Sequence, residues 1–160
     1  MADAIAIAVA PIGAMLTLLA LVTGSIWGKP MWGTWWIWDA RLTSELILFF
    51  LYIGYIVLYR SIPDPTKAAK SAALFAIVGV VDIPIIHYSV YWWNTLHQGA
   101  TLGKWGQPSM ANEMLYPLLS MIIGLSLFVA LVAFIRIKTE IIKREQDKHW
   151  VKVMVMRWKS

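Results

Sequence analysis

Apolar residues fill four long stretches of this chain, and the short segments between them collect tryptophan, proline and charge. The first stretch runs from about Ala4 to Ile26 without a charged residue. The second begins near Thr43 and ends at Tyr59, with LILFFLYIGYIVLY as its body. The third runs from about Ser71 to Tyr88 and carries Asp82 and Pro84, and the fourth from about Met114 to Ile135. Each has roughly the 17–25 residues a helix needs to cross a hydrocarbon core with some tilt. The pattern therefore predicts an all-α fold, a polytopic membrane helix bundle of four transmembrane helices. Outer loops fall at about 27–42 and 89–113 and a tail at 136–160. Without repeats or low-complexity segments, residues 1–160 read as a single membrane domain.

Composition sharpens this picture. The chain is 59% hydrophobic and 14% charged, more apolar surface than a water-soluble domain of this length can hide. It has no cysteine, which excludes disulfides, thiolate metal sites, cysteine nucleophiles and the Cys-x-x-Cys-His attachment of c-type heme. The N-terminus does not read as a cleaved signal, because Asp3 stands where a basic region belongs.

The net charge of +5 does not imply a nucleic-acid partner, because the cations sit beside the membrane. RSIPDPTKAAK holds Arg60, Lys67 and Lys70, and the tail holds Arg136, Lys138, Lys143, Arg144, Lys148, Lys152, Arg157 and Lys159. The two opposite loops hold only Lys29, Arg41 and Lys104. The positive-inside rule places both termini in the cytoplasm and the loops 27–42 and 89–113 outside. The tail, with Trp and Met among mixed charges, reads as a helical extension anchored in membrane lipid.

This orientation puts Trp27, Trp32, Trp35, Trp36, Trp38, Trp92, Trp93 and Trp105 on the outer side and leaves Trp150 and Trp158 inside. An ordinary aromatic belt populates both faces, so the asymmetry asks for another reason. On a helix started by Pro30, Trp32, Trp35, Trp36 and Asp39 share one face, forming an indole shelf in the outer interface. Such a shelf suits a large, flat, apolar ligand: heme, a quinone or a polyaromatic lipid. Asp39 also reads as an N-cap of the second span. Arg41 reads as a partner of Asp39 or Glu45, a snorkelling cation, or a clamp for an anionic group such as a heme propionate. Lys29 and Lys104 are weaker candidates for that clamp. His97, in the second aromatic loop YWWNTLHQG, is the candidate axial ligand of heme iron. His87 reads as a helix-end histidine bonded to a neighbouring helix, with a second axial ligand as the competing reading. Asp82 is an acid inside a span, readable as functional or as part of a polar break before Pro84.

WGTWWIWDARLTSE resembles the tryptophan-rich WWD motif of the heme-handling proteins of cytochrome c maturation. Other branches have Asp-Pro after the last tryptophan. Asp39-Ala40-Arg41-Leu42-Thr43, with APIGAMLTLLALVTGSIWGKPMWG and IPIIHYSVYWWNTLHQG, is similar to the heme exporter protein C (CcmC) branch. The resemblance implies a heme transporter or chaperone rather than an enzyme. It would sit in the bacterial inner membrane and present heme b at the periplasmic face to the heme chaperone CcmE. The small membrane protein CcmD and the ABC transporter subunits CcmA and CcmB would assist. Carried over by motif, the platform is Trp32, Trp35, Trp36, Trp38 and Asp39, with His97 as metal ligand. Arg41, Trp92 and Trp93 complete the expected cofactor-binding set. The family usually has six spans and a further outer histidine before the WWD segment. This chain resembles its later two-thirds, with no histidine before His87.

Two rival classes remain at this level. A membrane electron-transfer subunit, a cytochrome b or quinone-binding anchor, places histidine pairs in facing spans, and no span here contains two histidines. A structural subunit whose tryptophans form only a belt binds no chromophore.

Overall fold

The computed structural model describes residues 1–97, 99 and 110–153. Four helices account for most of them: α1 Ala2–Trp32, α2 Ala40–Ser61, α3 Pro65–Trp92 and α4 Asn112–Arg144. Each is long and apolar enough to cross a membrane, which makes this a multi-pass membrane protein. α1 packs on both α2 and α4, and α2 packs on α3, so the order across the bundle is α3, α2, α1, α4. α4 buries no residue, and its exposed side chains include Leu125, Leu127, Phe128, Leu131 and Phe134. An apolar outer surface is what a lipid solvent demands, so burial here marks helix contacts rather than hydrophobicity.

The helix ends follow local chemistry. Asp64 caps α3, its Oδ1 accepting from the Thr66 and Lys67 amides at 2.8 and 3.3 Å, with Pro65 at the first helical position. α1 runs past the expected end at Ile26 and stops at Gly33, whose φ of 78° is the left-handed conformation glycine adopts without a Cβ penalty. Its amide donates to the Lys29 carbonyl at 3.0 Å. Pro30 therefore lies in the last turn of α1 and starts no separate helix. α3 is likewise continuous through Pro84, so Asp82 does not sit in a helix break. In the tail, α4 continues to Arg144 and a helical turn follows at 149–153. Residues 154–160, with Arg157, Trp158 and Lys159, lie outside the described residues.

The core lies toward the basic end, where Ile7, Ala10, Tyr55, Tyr59, Ala68 and Ala72 cluster with Tyr52 and Phe75 against them. Ala68 and Ala72 are fully buried, as expected where small residues let helices approach closely. Tyr59 on α2, Asp3 on α1 and Arg144 on α4 converge there. Arg144 donates to Asp3 at 2.6 Å, to Glu140 at 3.0 Å and to the Tyr59 hydroxyl. This network and the bond from Arg136 Nε to the Ala8 carbonyl, 2.8 Å, hold α4 antiparallel to α1.

Two glycines predict opposite responses to the same substitution. A Cβ on Gly54 would meet Phe75 Cε1 at 2.5 Å, whereas one on Gly124 meets nothing within 4 Å. Alanine gains about 1 kcal/mol over glycine in a helix, and forced overpacking costs about 1–3 kcal/mol. Gly54→Ala is expected to lower the thermal midpoint of the detergent-solubilised protein, and Gly124→Ala to leave it unchanged or raise it.

Candidate functional site

The aromatic ends of α1, α2 and α3 meet opposite the basic end, and one carboxylate joins the segments there. Asp39 precedes α2 in extended conformation, and its Oδ1 accepts the Leu42 amide at 2.8 Å, the N-cap bond expected from sequence. Its Oδ2 accepts from the Thr95 hydroxyl at 2.6 Å and lies 2.7 Å from His97 Nδ1. Thr95 Oγ1 in turn accepts the His97 amide at 3.0 Å. The segment after α3 is thereby tied to the start of α2. The Asp39 side chain is 6% exposed and that of His97 17%. Burial pushes the Asp39 carboxyl up, but the hydrogen bonds from Thr95, the Leu42 amide and His97 outweigh it. The carboxyl stays below its ordinary value.

Asp39 fixes the imidazole as well as the backbone. A neutral ring that donates Nδ1–H to the Asp39 carboxylate carries its lone pair on Nε2. Nε2 has no hydrogen-bond partner among the described residues. Metal-binding histidines are commonly held in this way, by a carboxylate on the nitrogen that does not bind metal. Trp32 packs edge-on against the ring with centroids 4.6 Å apart, and Trp27 packs edge-on against Trp32 at 5.3 Å.

The tryptophans do not form the single helical shelf expected from their spacing. Gly33 ends α1 directly after Trp32, and residues 36–39 have no regular structure. Hydroxyls organise this turn instead. Ser25 donates to the Trp35 carbonyl at 2.7 Å, and Thr34 to the Trp36 carbonyl at 3.1 Å. Lys29 bonds the Gly33 carbonyl at 3.0 Å and lies 5.8 Å from the Trp35 ring centroid. Trp36 and Trp38 meet edge-on at 5.5 Å, and Trp38 is 76% exposed. Trp36 Nε1 is buried with no acceptor among the described residues. Trp92 stacks on Tyr88 at 5.5 Å and meets Trp93 edge-on, both tryptophans being exposed. Among the described residues these two groups share no ring contact; Asp39, Thr95 and His97 connect their segments.

A cavity of about 480 Å³ opens between α1 and α2 beside His97, lined also by Leu21, Trp27, Arg41 and Glu45. Arg41 faces this cavity and forms no ion pair with Asp39 or Glu45 among the described residues. Of the expected set, His97 and Arg41 line the cavity. Trp32 and Asp39 support His97, and Trp35, Trp36, Trp38, Trp92 and Trp93 lie around the same end. His87 is exposed and meets Tyr88 of its own helix edge-on. It makes no bond to a neighbouring helix among the described residues. Lys104 and Trp105 lie outside the described residues.

Sequence reasoning missed Thr95 and Glu45 as site residues and left Trp27 out of the ligand set. Trp27 reaches the cavity because α1 continues past Ile26. Nothing in the local pattern marks Thr95, whose role exists only through the return of the chain to Asp39.

The family model for heme exporter protein C matches residues 1–152. The chain belongs to the heme exporter protein C family. It is 52% identical to heme exporter protein C of Haemophilus influenzae over 153 residues, 96% of this chain and 62% of that protein. Against the Escherichia coli K12 heme exporter protein C it is 49% identical over 157 residues, 98% of this chain and 63% of that one. The Bradyrhizobium diazoefficiens heme exporter protein C is 50% identical over 144 residues, 90% and 55% respectively. The chain thus spans about three-fifths of the length of the curated relatives it matches.

Proposed function

We propose that this chain is a heme-holding part of a cytochrome c biogenesis system, with heme b as cargo, and that its aromatic end presents heme to the chaperone CcmE. The supporting observation is the Asp39–His97 pair at 2.7 Å, which leaves Nε2 of a fixed, partly exposed imidazole beside a cavity. Neutral imidazole suits heme iron, and an ionised carboxylate behind it raises its basicity. Arg41 supplies a cation in the cavity for a propionate, and an acceptor brought by the ligand would satisfy Trp36 Nε1. Trp35, Trp38, Trp92 and Trp93 are each more than half exposed, so they offer aromatic surface without closing the site. Partial enclosure fits a protein that must release what it holds.

The role is carriage rather than catalysis. The bias of Lys and Arg toward Arg60, Lys67, Lys70 and the tail supports a cytoplasmic basic end and an aromatic end on the periplasmic face, and the inner membrane is the membrane this reading assigns. CcmD and the ABC subunits CcmA and CcmB are the accompanying partners on this reading.

Visible spectroscopy of the purified chain tests the proposal. Bound heme that moves to added apo-CcmE supports it, whereas heme that stays bound and cycles reversibly with quinol favours an electron-transfer subunit. Trp35→Ala combined with Trp36→Ala is expected to lower heme per protein by roughly tenfold or more, since two aromatic contacts of about 1 kcal/mol each are lost. Unchanged heme would return these tryptophans to the role of a membrane belt.

A further inference from the structure

The basic end carries a second feature that the heme reading does not use. A cavity of about 870 Å³ lies between the start of α1, the α2–α3 turn and the end of α4. Four cations line it: Arg60, Arg136, Lys143 and Arg144, against one carboxylate, Glu140. Arg144 is consumed by Asp3, Glu140 and Tyr59, and Arg136 Nε by the Ala8 carbonyl. Arg60 and Lys143 have no acidic partner among the described residues. The wall also contains Ile7, Ala8 and Ile62, so charge and apolar surface face the same space.

We propose that this cavity binds the phosphate of an anionic phospholipid headgroup, with its acyl chains along the apolar wall. Unpaired cations beside a low-dielectric layer are costly, and a phosphate removes that cost by supplying charge and several acceptors. Position favours lipid, because the cavity lies where membrane-spanning helices end and headgroups begin. Basic pockets of this kind select anionic over zwitterionic lipid. The end of α2 brings Arg60 and α4 brings Lys143, so occupancy would add to the Arg144–Tyr59 bond that already joins these two helices.

Native mass spectrometry of the delipidated full chain, titrated separately with phosphatidylglycerol, phosphatidylcholine and inorganic phosphate, tests this. Saturable phosphatidylglycerol binding is expected, with phosphatidylcholine and phosphate weaker. Arg60→Gln or Lys143→Gln should each weaken it by about fivefold, and both together by roughly 30-fold. Both side chains are exposed, so the replacements leave packing intact. Lys67→Gln with Lys70→Gln removes the same charge at the same end outside the cavity and should change affinity by less than about threefold. An equal loss in both double variants would reduce the effect to general surface charge and overturn the site. Undiminished binding in the cavity variant would overturn it too, and inorganic phosphate binding as tightly as phosphatidylglycerol would overturn the assignment to lipid.

Discussion

His97→Ala is expected to leave the purified protein with little bound heme at normal protein yield. Loss of a group that merely supports a metal ligand costs roughly 10–100-fold in affinity, and loss of the ligand itself costs more. Heme then retains only stacking and charge contacts on a surface that is largely open, since Trp35, Trp38, Trp92 and Trp93 are all exposed. Heme per protein, read from the Soret absorbance, should fall by at least an order of magnitude, and added imidazole should restore part of it. The fold has little reason to change, because His97 lies outside the core cluster and the Thr95 bond to Asp39 still ties the two segments together. His87→Ala supplies the comparison: that ring lies exposed against Tyr88 and should leave heme content near normal. Full heme content in His97→Ala would remove this residue as the ligand.

The second large effect concerns Asp39, where the chemistry asks for two acceptor oxygens. Oδ1 receives the Leu42 amide, while Oδ2 receives Thr95 and His97. Asparagine is a good N-cap residue, but it has one acceptor oxygen and must choose between the helix and the Thr95–His97 pair. Asp39→Asn is therefore expected to keep α2 and lower heme affinity by roughly 10–100-fold, as loss of an outer-shell carboxylate does. Asp39→Ala removes both roles and adds about 1 kcal/mol of instability from the lost cap. Heme titration with a thermal melt of each variant separates the two losses. Equal heme affinity in Asp39→Asn and the parent protein would show that the carboxylate does not act through His97. Thr95→Val should give a weaker version of the same phenotype, because Thr95 holds both Asp39 Oδ2 and the His97 amide.

The predicted spans 4–26, 43–59, 71–88 and 114–135 fall inside the observed helices, each of which extends further at its ends. Hydropathy senses only the hydrocarbon layer, whereas helices end where capping groups stop them. Gly33 carries α1 through Pro30 to Trp32, and Asp64 with Pro65 starts α3 well before Ser71. The shelf failed for a related reason. The i, i+3, i+4 spacing of Trp32, Trp35, Trp36 and Asp39 has structural meaning only if the backbone is helical, and a left-handed glycine lies between the first two.

What the sequence determined by itself was the number of spanning helices, the sidedness of the charges, the crowding of indoles at one end, and the cap at Asp39. All of these depend on composition or on neighbours within a few residues. Only the tertiary structure decided that Asp39 meets His97, 58 residues away, that Thr95 joins them, and that Trp27 and Arg41 share a cavity with the imidazole. It also decided that Arg60 and Lys143 share a second cavity at the other end. Those pairings depend on the order in which helices pack. In a lipid solvent that order is set by small residues and buried polar contacts, and hydropathy carries little of it.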